Sequence, residues 1–220
     1  LLESIQRLLE RTYRMRSGID DPGRFVIGDR GFAELYAGRE TTEEVSTDGS
    51  GARMLVREAA DGLRACIYYP DRLIEHLERF PPQRGVGEEN VDAFAALVEE
   101  LDHLLLLAER KRDERPVTLF ELELHANVSK YLVLTRFLAA GRARLAAEQR
   151  LWLRHQLFGK GSYCDHNPGV RQRYRDARRW AVRLIDALPG LPVPARIATL
   201  RRFHDEGVQG KLELIRSIAA

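Results

Sequence analysis

The sequence predicts an α+β protein that is predominantly helical, with a small N-terminal β-hairpin region followed by an antiparallel helical bundle. Three observations carry this expectation. Two apolar-rich segments flank Asp61-Gly62, a dipeptide whose residues tolerate the positive φ of a tight hairpin turn. From residue 88 onward apolar residues recur at helical spacing. Glycine and proline fall between these periodic segments rather than within them. Of 220 residues, 44% are hydrophobic and 31% charged, which supports a buried core and argues against a disordered chain. With 17 glycines, 9 prolines and 2 cysteines, collagen-like, mucin-like and disulfide-scaffold classes are excluded.

Leu1, Leu2, Ile5, Leu8, Leu9 and Tyr13 define an opening amphipathic helix, broken by Ser17-Gly18 and Asp21-Pro22-Gly23. Phe25-Val26-Ile27 reads as a short strand, Phe32 to Tyr36 as a helical turn, and Thr41 to Gly51 as a polar loop. Ala52 to Arg57 and Leu63 to Tyr69 are the hairpin strands. After Pro70 and Asp71 a helix carries Leu73, Ile74, Leu77 and Phe80 until Pro81-Pro82 stops it. Longer helices are expected over 88–111, 117–140, 142–157 and 170–188. A last stretch begins at Ala195 and is broken by Gly207 and Gly210. The division is residues 1–87 as an N-terminal α+β region and 88–220 as a helical bundle, sharing one core.

Residues 1–15 carry Glu3, Arg7, Glu10, Arg11 and Arg14, so they contain no uninterrupted apolar core of a signal peptide. The first residue is Leu1, and the expectation is confined to the residues shown. No window approaches 18 uncharged apolar residues, so no membrane partner is expected. Cys66 and Cys164 are far apart, form no CxxC pair and have no neighbours that mark a reactive thiol. A reducing, cytoplasmic location follows as the expectation. Net charge is +2, but residues 141–220 hold 16 Lys+Arg against 7 Asp+Glu, leaving the first 140 residues acidic. Such a split suits an acidic protein or nucleic acid as partner of the C-terminal helices, or pairing of the two halves.

The helix over 88–111 has a broad apolar face through Phe94, Leu97, Val98, Leu101, Leu104, Leu105 and Ala108, and four leucines (104–107) wrap it. Such a helix is buried on two sides, which draws Glu99, Glu100 and His103 inward. The next helix carries Glu121, Glu123 and His125 near its start. A short connection makes the two antiparallel, and pairing about residue 114 sets His103 level with His125. Two histidines and up to four carboxylates then share one end of a helical hairpin.

Three readings of this constellation stand side by side. Glu99-Glu100-Leu101-Asp102-His103 (EELDH) resembles the HExxH helix of zinc metallopeptidases, with Glu99 in place of the first histidine. In the gluzincin branch the third ligand is a glutamate on a later helix about 20 residues on, and Glu123 stands 20 after His103. The resemblance implies Glu99, His103 and Glu123 as zinc ligands and Glu100 as the base that activates water. The missing histidine points to a non-catalytic or scaffold descendant rather than a working peptidase. The second reading is a di-metal site, holding iron or manganese, built from Glu100, His103, Glu121 and His125. It has one Glu-x-x-His where that architecture needs two. The third is a polar cluster without metal, each carboxylate paired with arginine, histidine or a backbone donor.

Arg171, Arg175, Arg179 and Arg183 recur every four residues, with Arg178 beside them, and Arg142, Arg144, Arg150, Arg154 and Lys160 extend the basic character upstream. These are the candidate polyanion-binding residues, with Trp152, Tyr163 and Trp180 as stacking surfaces. Cys164, Asp165 and His166 are adjacent and lack a partner at ligand spacing, so they do not make a zinc knuckle. Gly159-Lys160-Gly161-Ser162 lacks the first glycine of a phosphate-binding loop.

Overall fold

The computed structural model describes residues 1–36, 51–60, 62–142, 145–160 and 167–219. Residues 41–50 of the loop expected from Thr41 to Gly51, Asp61, Arg144, Gly161, Ser162, Tyr163 and the Cys164-Asp165-His166 run lie outside the described residues. The architecture is helix-dominated α+β with a three-stranded mixed sheet.

Helix α1 (Leu2–Tyr13) places Ile5, Leu9 and Tyr13 one turn apart on a fully buried stripe, and ends where Arg14 turns left-handed at φ 61°. Strand β1 (Val26–Ile27) is followed by α2 (Asp29–Tyr36). Strands β2 (Arg53–Ala59) and β3 (Gly62–Tyr68) pair antiparallel from Arg53↔Tyr68 to Ala59↔Gly62. Gly62 has φ 133°, a conformation that side-chain-bearing residues rarely adopt. The two-residue β1 adds to β3 in parallel, giving the order β1-β3-β2. Met54 and Ile67 of the sheet, with Tyr69 just past the end of β3, are buried in the core, and α3 (Asp71–Arg79) adds Leu73 and Leu77.

Helix α4 (Val91–Arg112) is the central element, about 33 Å long at 1.5 Å per residue. Phe94, Leu97, Val98, Leu101, Leu104, Leu105 and Leu106 are all buried on it. Helix α5 (Leu119–Ala139) starts where the Thr118 hydroxyl accepts from the Glu121 amide at 3.1 Å. Its apolar residues point in every direction and Leu124, Val128, Val133 and Leu134 are fully enclosed. Contacts of Arg110 with Glu121, Asp102 with His125 and Glu99 with Lys130 show that α4 and α5 run in opposite directions.

Helices α6 (Ala147–Phe158), α7 (Pro168–Ala187), α8 (Val193–Asp205) and α9 (Val208–Ile218) complete the chain. Most helix ends differ from the sequence expectation by one to three residues, and two differences go further. Helix α6 starts at Ala147 rather than 142, because Gly141 at φ 86° and the Arg142 amide bonded to Ala139 O finish the end of α5 first. Gly207 breaks the last segment but Gly210 does not: it lies inside α9, where the surrounding packing absorbs its weak helix preference. Buried residues from Ile5 to Ile215 form one hydrophobic cluster. No helix among the described residues is long and apolar enough to cross a membrane.

Candidate functional site

His103 and His125 do stand at the same level of the α4–α5 pair, yet they belong to different clusters. Successive residues on a helix point about 100° apart. Asp102 and His103 therefore leave α4 in different directions, as do Glu123 and His125 on α5. The polar level splits into two groups, one on each side of the interhelical contact.

The first group is Glu99, His103 and Glu123. Glu99 and His103 are one turn apart on α4, and Glu123 faces them from α5. Each offers a ligand atom, and all three atoms lie within 4.8 Å of one another. His103 Nε2 is 3.9 Å from Glu123 Oε1. Relative exposures are 4%, 0% and 0%, so water reaches none of the three freely. From two turns further along α5, Lys130 reaches back to place Nζ 2.6 Å from Glu99 Oε2. Burial pushes the Glu123 carboxyl well above the usual carboxylate range, and the charge on Glu99 adds to it. Lys130 and the Tyr174 hydroxyl pull it down.

One imidazole nitrogen and two carboxylates suit zinc, manganese or iron. Bonds of about 2.1 Å in a tetrahedron set ligands about 3.4 Å apart. The 3.9 Å His103–Glu123 separation needs only a small contraction, and the 4.8 Å limit a larger one. Among the described residues this is the one group whose donors converge in that way. Glu100 is 1% exposed, and its charge adds to the effect of burial in pushing up both the Tyr69 phenol and the Glu123 carboxyl. Tyr69 in turn donates to the Leu97 carbonyl at 2.6 Å.

The second group is a chain of four buried side chains. Asp102 Oδ2 lies 2.8 Å from His125 Nδ1, His125 Nε2 lies 3.1 Å from His204 Nδ1, and His204 Nε2 lies 2.6 Å from Glu109 Oε2. The His125–His204 contact requires a proton on one of the two facing ring nitrogens, since two lone pairs would otherwise meet. Burial opposes the charge on Asp102, yet His125 and Ser129 hold its carboxyl below the ordinary range. Burial likewise lowers His125, against the pull of Asp102. Glu109 also accepts from the Arg16 amide at 2.6 Å. Burial would raise its carboxyl, but the bond from His204, the Arg16 amide and the Arg110 charge hold it at about 2.

Around this chain Arg110 and Lys211, 1% and 0% exposed, share Glu121 at 3.1 and 2.9 Å and also donate to the His204 carbonyl. Lys211 also donates to the Glu206 carbonyl, and burial, outweighing Glu121, brings it down to about 8. Tyr13 of α1 bonds Ser129 at 2.9 Å and stacks on His204 with ring centroids 5.3 Å apart.

The four residues Glu100, His103, Glu121 and His125 are therefore not brought together. Glu121 is held by two cations and His125 by Asp102 and His204, because the helix twist sends them to the opposite side from His103. Sequence reasoning missed His204, Glu109, Arg110, Lys211 and Tyr13. His204 is 79 residues from His125, and neither sits in a pattern that announces the other.

The arginines of α7 lie elsewhere. Arg175, Arg178, Arg179 and Arg183, joined by Arg154 of α6, rim a groove of about 380 Å³ floored by Phe158 and Val182. Arg171 is not among its lining residues. Asp186 holds Arg154 through two bonds of 3.0 Å, and Asp176 lies 3.2 Å from Arg179. Trp180 does not offer the open stacking face expected of it, because Arg183 and Arg216 lie over its ring at 5.0 and 5.1 Å. Cys66 is half-buried, and burial pushes its thiol up, away from reactivity. A separate groove of about 620 Å³ runs between the start of α1, the turn at Pro22, and α3. It is lined by Tyr69 and Leu97 but by none of the three converging residues.

No family model, curated protein or solved structure matches the chain.

Proposed function

We propose that the chain is a divergent, metallopeptidase-like metal-binding protein in which a divalent ion held by Glu99, His103 and Glu123 serves a non-catalytic, scaffolding role. The observation that carries this reading is the convergence of three buried donors within 4.8 Å, two of them one turn apart on α4. A scaffold fits the burial better than a hydrolase does. A peptidase must admit an extended substrate to its ion, whereas these donors are at most 4% exposed. Glu100, placed as water-activating base by the resemblance, is itself enclosed at 1% exposure. Bound metal would supply Lewis acidity and a cross-link between α4 and α5, and the enclosure favours the cross-link. The test is metal analysis of full-length protein purified without chelator, with zinc, manganese and iron measured. Near-stoichiometric metal that falls away in Glu99→Gln, His103→Ala and Glu123→Gln supports the proposal. Metal-free protein whose melting temperature ignores both added zinc and chelator overturns it.

A second reading concerns a different surface. Five guanidinium groups around one groove, with two aspartates to balance them, favour a polyanion such as nucleic acid or an acidic protein segment. With Trp180 covered by two arginines, phosphate or carboxylate contacts rather than base stacking would supply the affinity. Fluorescence anisotropy with a labelled single-stranded oligonucleotide, repeated across salt concentrations, tests it. Binding must weaken with salt and in Arg175→Glu/Arg179→Glu.

A further inference from the structure

We infer that Lys130 is a built-in counter-cation of the Glu99–His103–Glu123 cluster, which a divalent ion must displace and whose outward swing opens the ion's way in. The inference rests on the metal reading above and adds a regulation to it. Lys130 stands seven residues after Glu123 on the same face of α5, so its long side chain spans two turns to reach Glu99. At 2.6 Å its ammonium lies against Glu99 Oε2, one of the two carboxylate oxygens open to a metal. Its charge also acts on Glu123. One ammonium thus serves both carboxylates of the donor set, where a divalent ion would.

Two cations cannot share that position without strong repulsion in so enclosed a place. The exchange has an obvious route. The Lys130 side chain is 12% exposed, against 5% for Glu99 and 0% for both His103 and Glu123. Lys130 is the member of the group that reaches solvent, and four methylenes let its charged end move outward while the stem stays packed. With the ammonium in place, the charge of Glu99 is compensated without metal. This lets the chain fold before any ion arrives and sets a threshold concentration for loading.

The experiment is isothermal titration of zinc into chelator-treated full-length protein, comparing the unaltered chain with Lys130→Met and Lys130→Arg. The inference expects Lys130→Met to bind zinc on the order of tenfold tighter or more, and Lys130→Arg to bind no tighter than the unaltered chain. If Lys130→Met proves poorly folded by circular dichroism, a second measurement on the unaltered protein decides. Acetylation of Lys130 by an amine-reactive reagent, read by mass spectrometry, must accelerate on adding zinc as the ammonium leaves Glu99. Zinc binding that depends on Glu99 and His103 but does not tighten in Lys130→Met, or unchanged Lys130 acetylation on loading, overturns the displacement and leaves the metal centre standing. Failure of every variant to take zinc overturns both.

Discussion

His125 Nε2 and His204 Nδ1 meet at 3.1 Å across 79 residues of sequence, joining α5 to α8 through two facing imidazoles. Asp102 and Glu109, both from α4, close the chain at either end. Three helices are thereby tied by groups that are costly to bury singly and tolerable together.

Removing one link should expose that cooperativity. His204→Ala removes one buried partner each from His125 and Glu109 and should cost about 3 kcal/mol in urea unfolding. A double-mutant cycle of His125→Ala and His204→Ala should then show strong coupling, the double variant losing much less than the sum. Simple additivity would mean the histidines act independently.

Glu109 makes stability sensitive to acid. Its carboxyl sits at about 2 in the folded chain against an ordinary 4.5, so the unfolded chain binds the proton more readily between those values. The contribution is complete above about 4.5 and fades as pH falls toward about 2. Glu109→Gln should flatten the acid limb of a stability-versus-pH curve measured by denaturant melts.

Lys211 acts at the alkaline end with the same sign of slope. Burial lowers it to about 8 from 10.5, so between these values the unfolded chain holds more protons and stability from this group rises with pH. Thermal melts from pH 8 to 10 should show that rise in the native chain and lose it in Lys211→Met.

Glu100→Gln separates a base from a ligand. Because Glu100 is not one of the three converging donors, its replacement should leave zinc uptake unchanged, while Glu123→Gln reduces it. Equal loss in both variants, by metal analysis, would count against the assigned donor set.

Leu105 is fully enclosed on the central helix. Leu105→Ala should cost about 2–5 kcal/mol, the range for a large-to-small change in a packed core. A loss below about 1 kcal/mol in chemical denaturation would mean that α4 is less tightly packed than its burial indicates.

Much of the fold is local and so was legible in the residues themselves. Apolar spacing announced α1, α4, α5 and α7, and the glycine of Asp61-Gly62 has a positive φ at the first residue of β3. The set Glu99, His103 and Glu123 came from the resemblance of EELDH, with a glutamate 20 residues on, to a zinc-peptidase helix; helix geometry adds that Glu99 and His103 share one face. Sequence periodicity says which residues share a face but not which faces meet. It placed His103 and His125 at one level and could not separate the two sides of that level. Nor could it find Lys211 or His204, whose burial is decided by where α8 and α9 dock. The chain dictates its helices through short-range backbone and side-chain preferences. The partners of its buried charges were settled only by tertiary packing, because the cost of burying a charge depends on groups that arrive from distant segments.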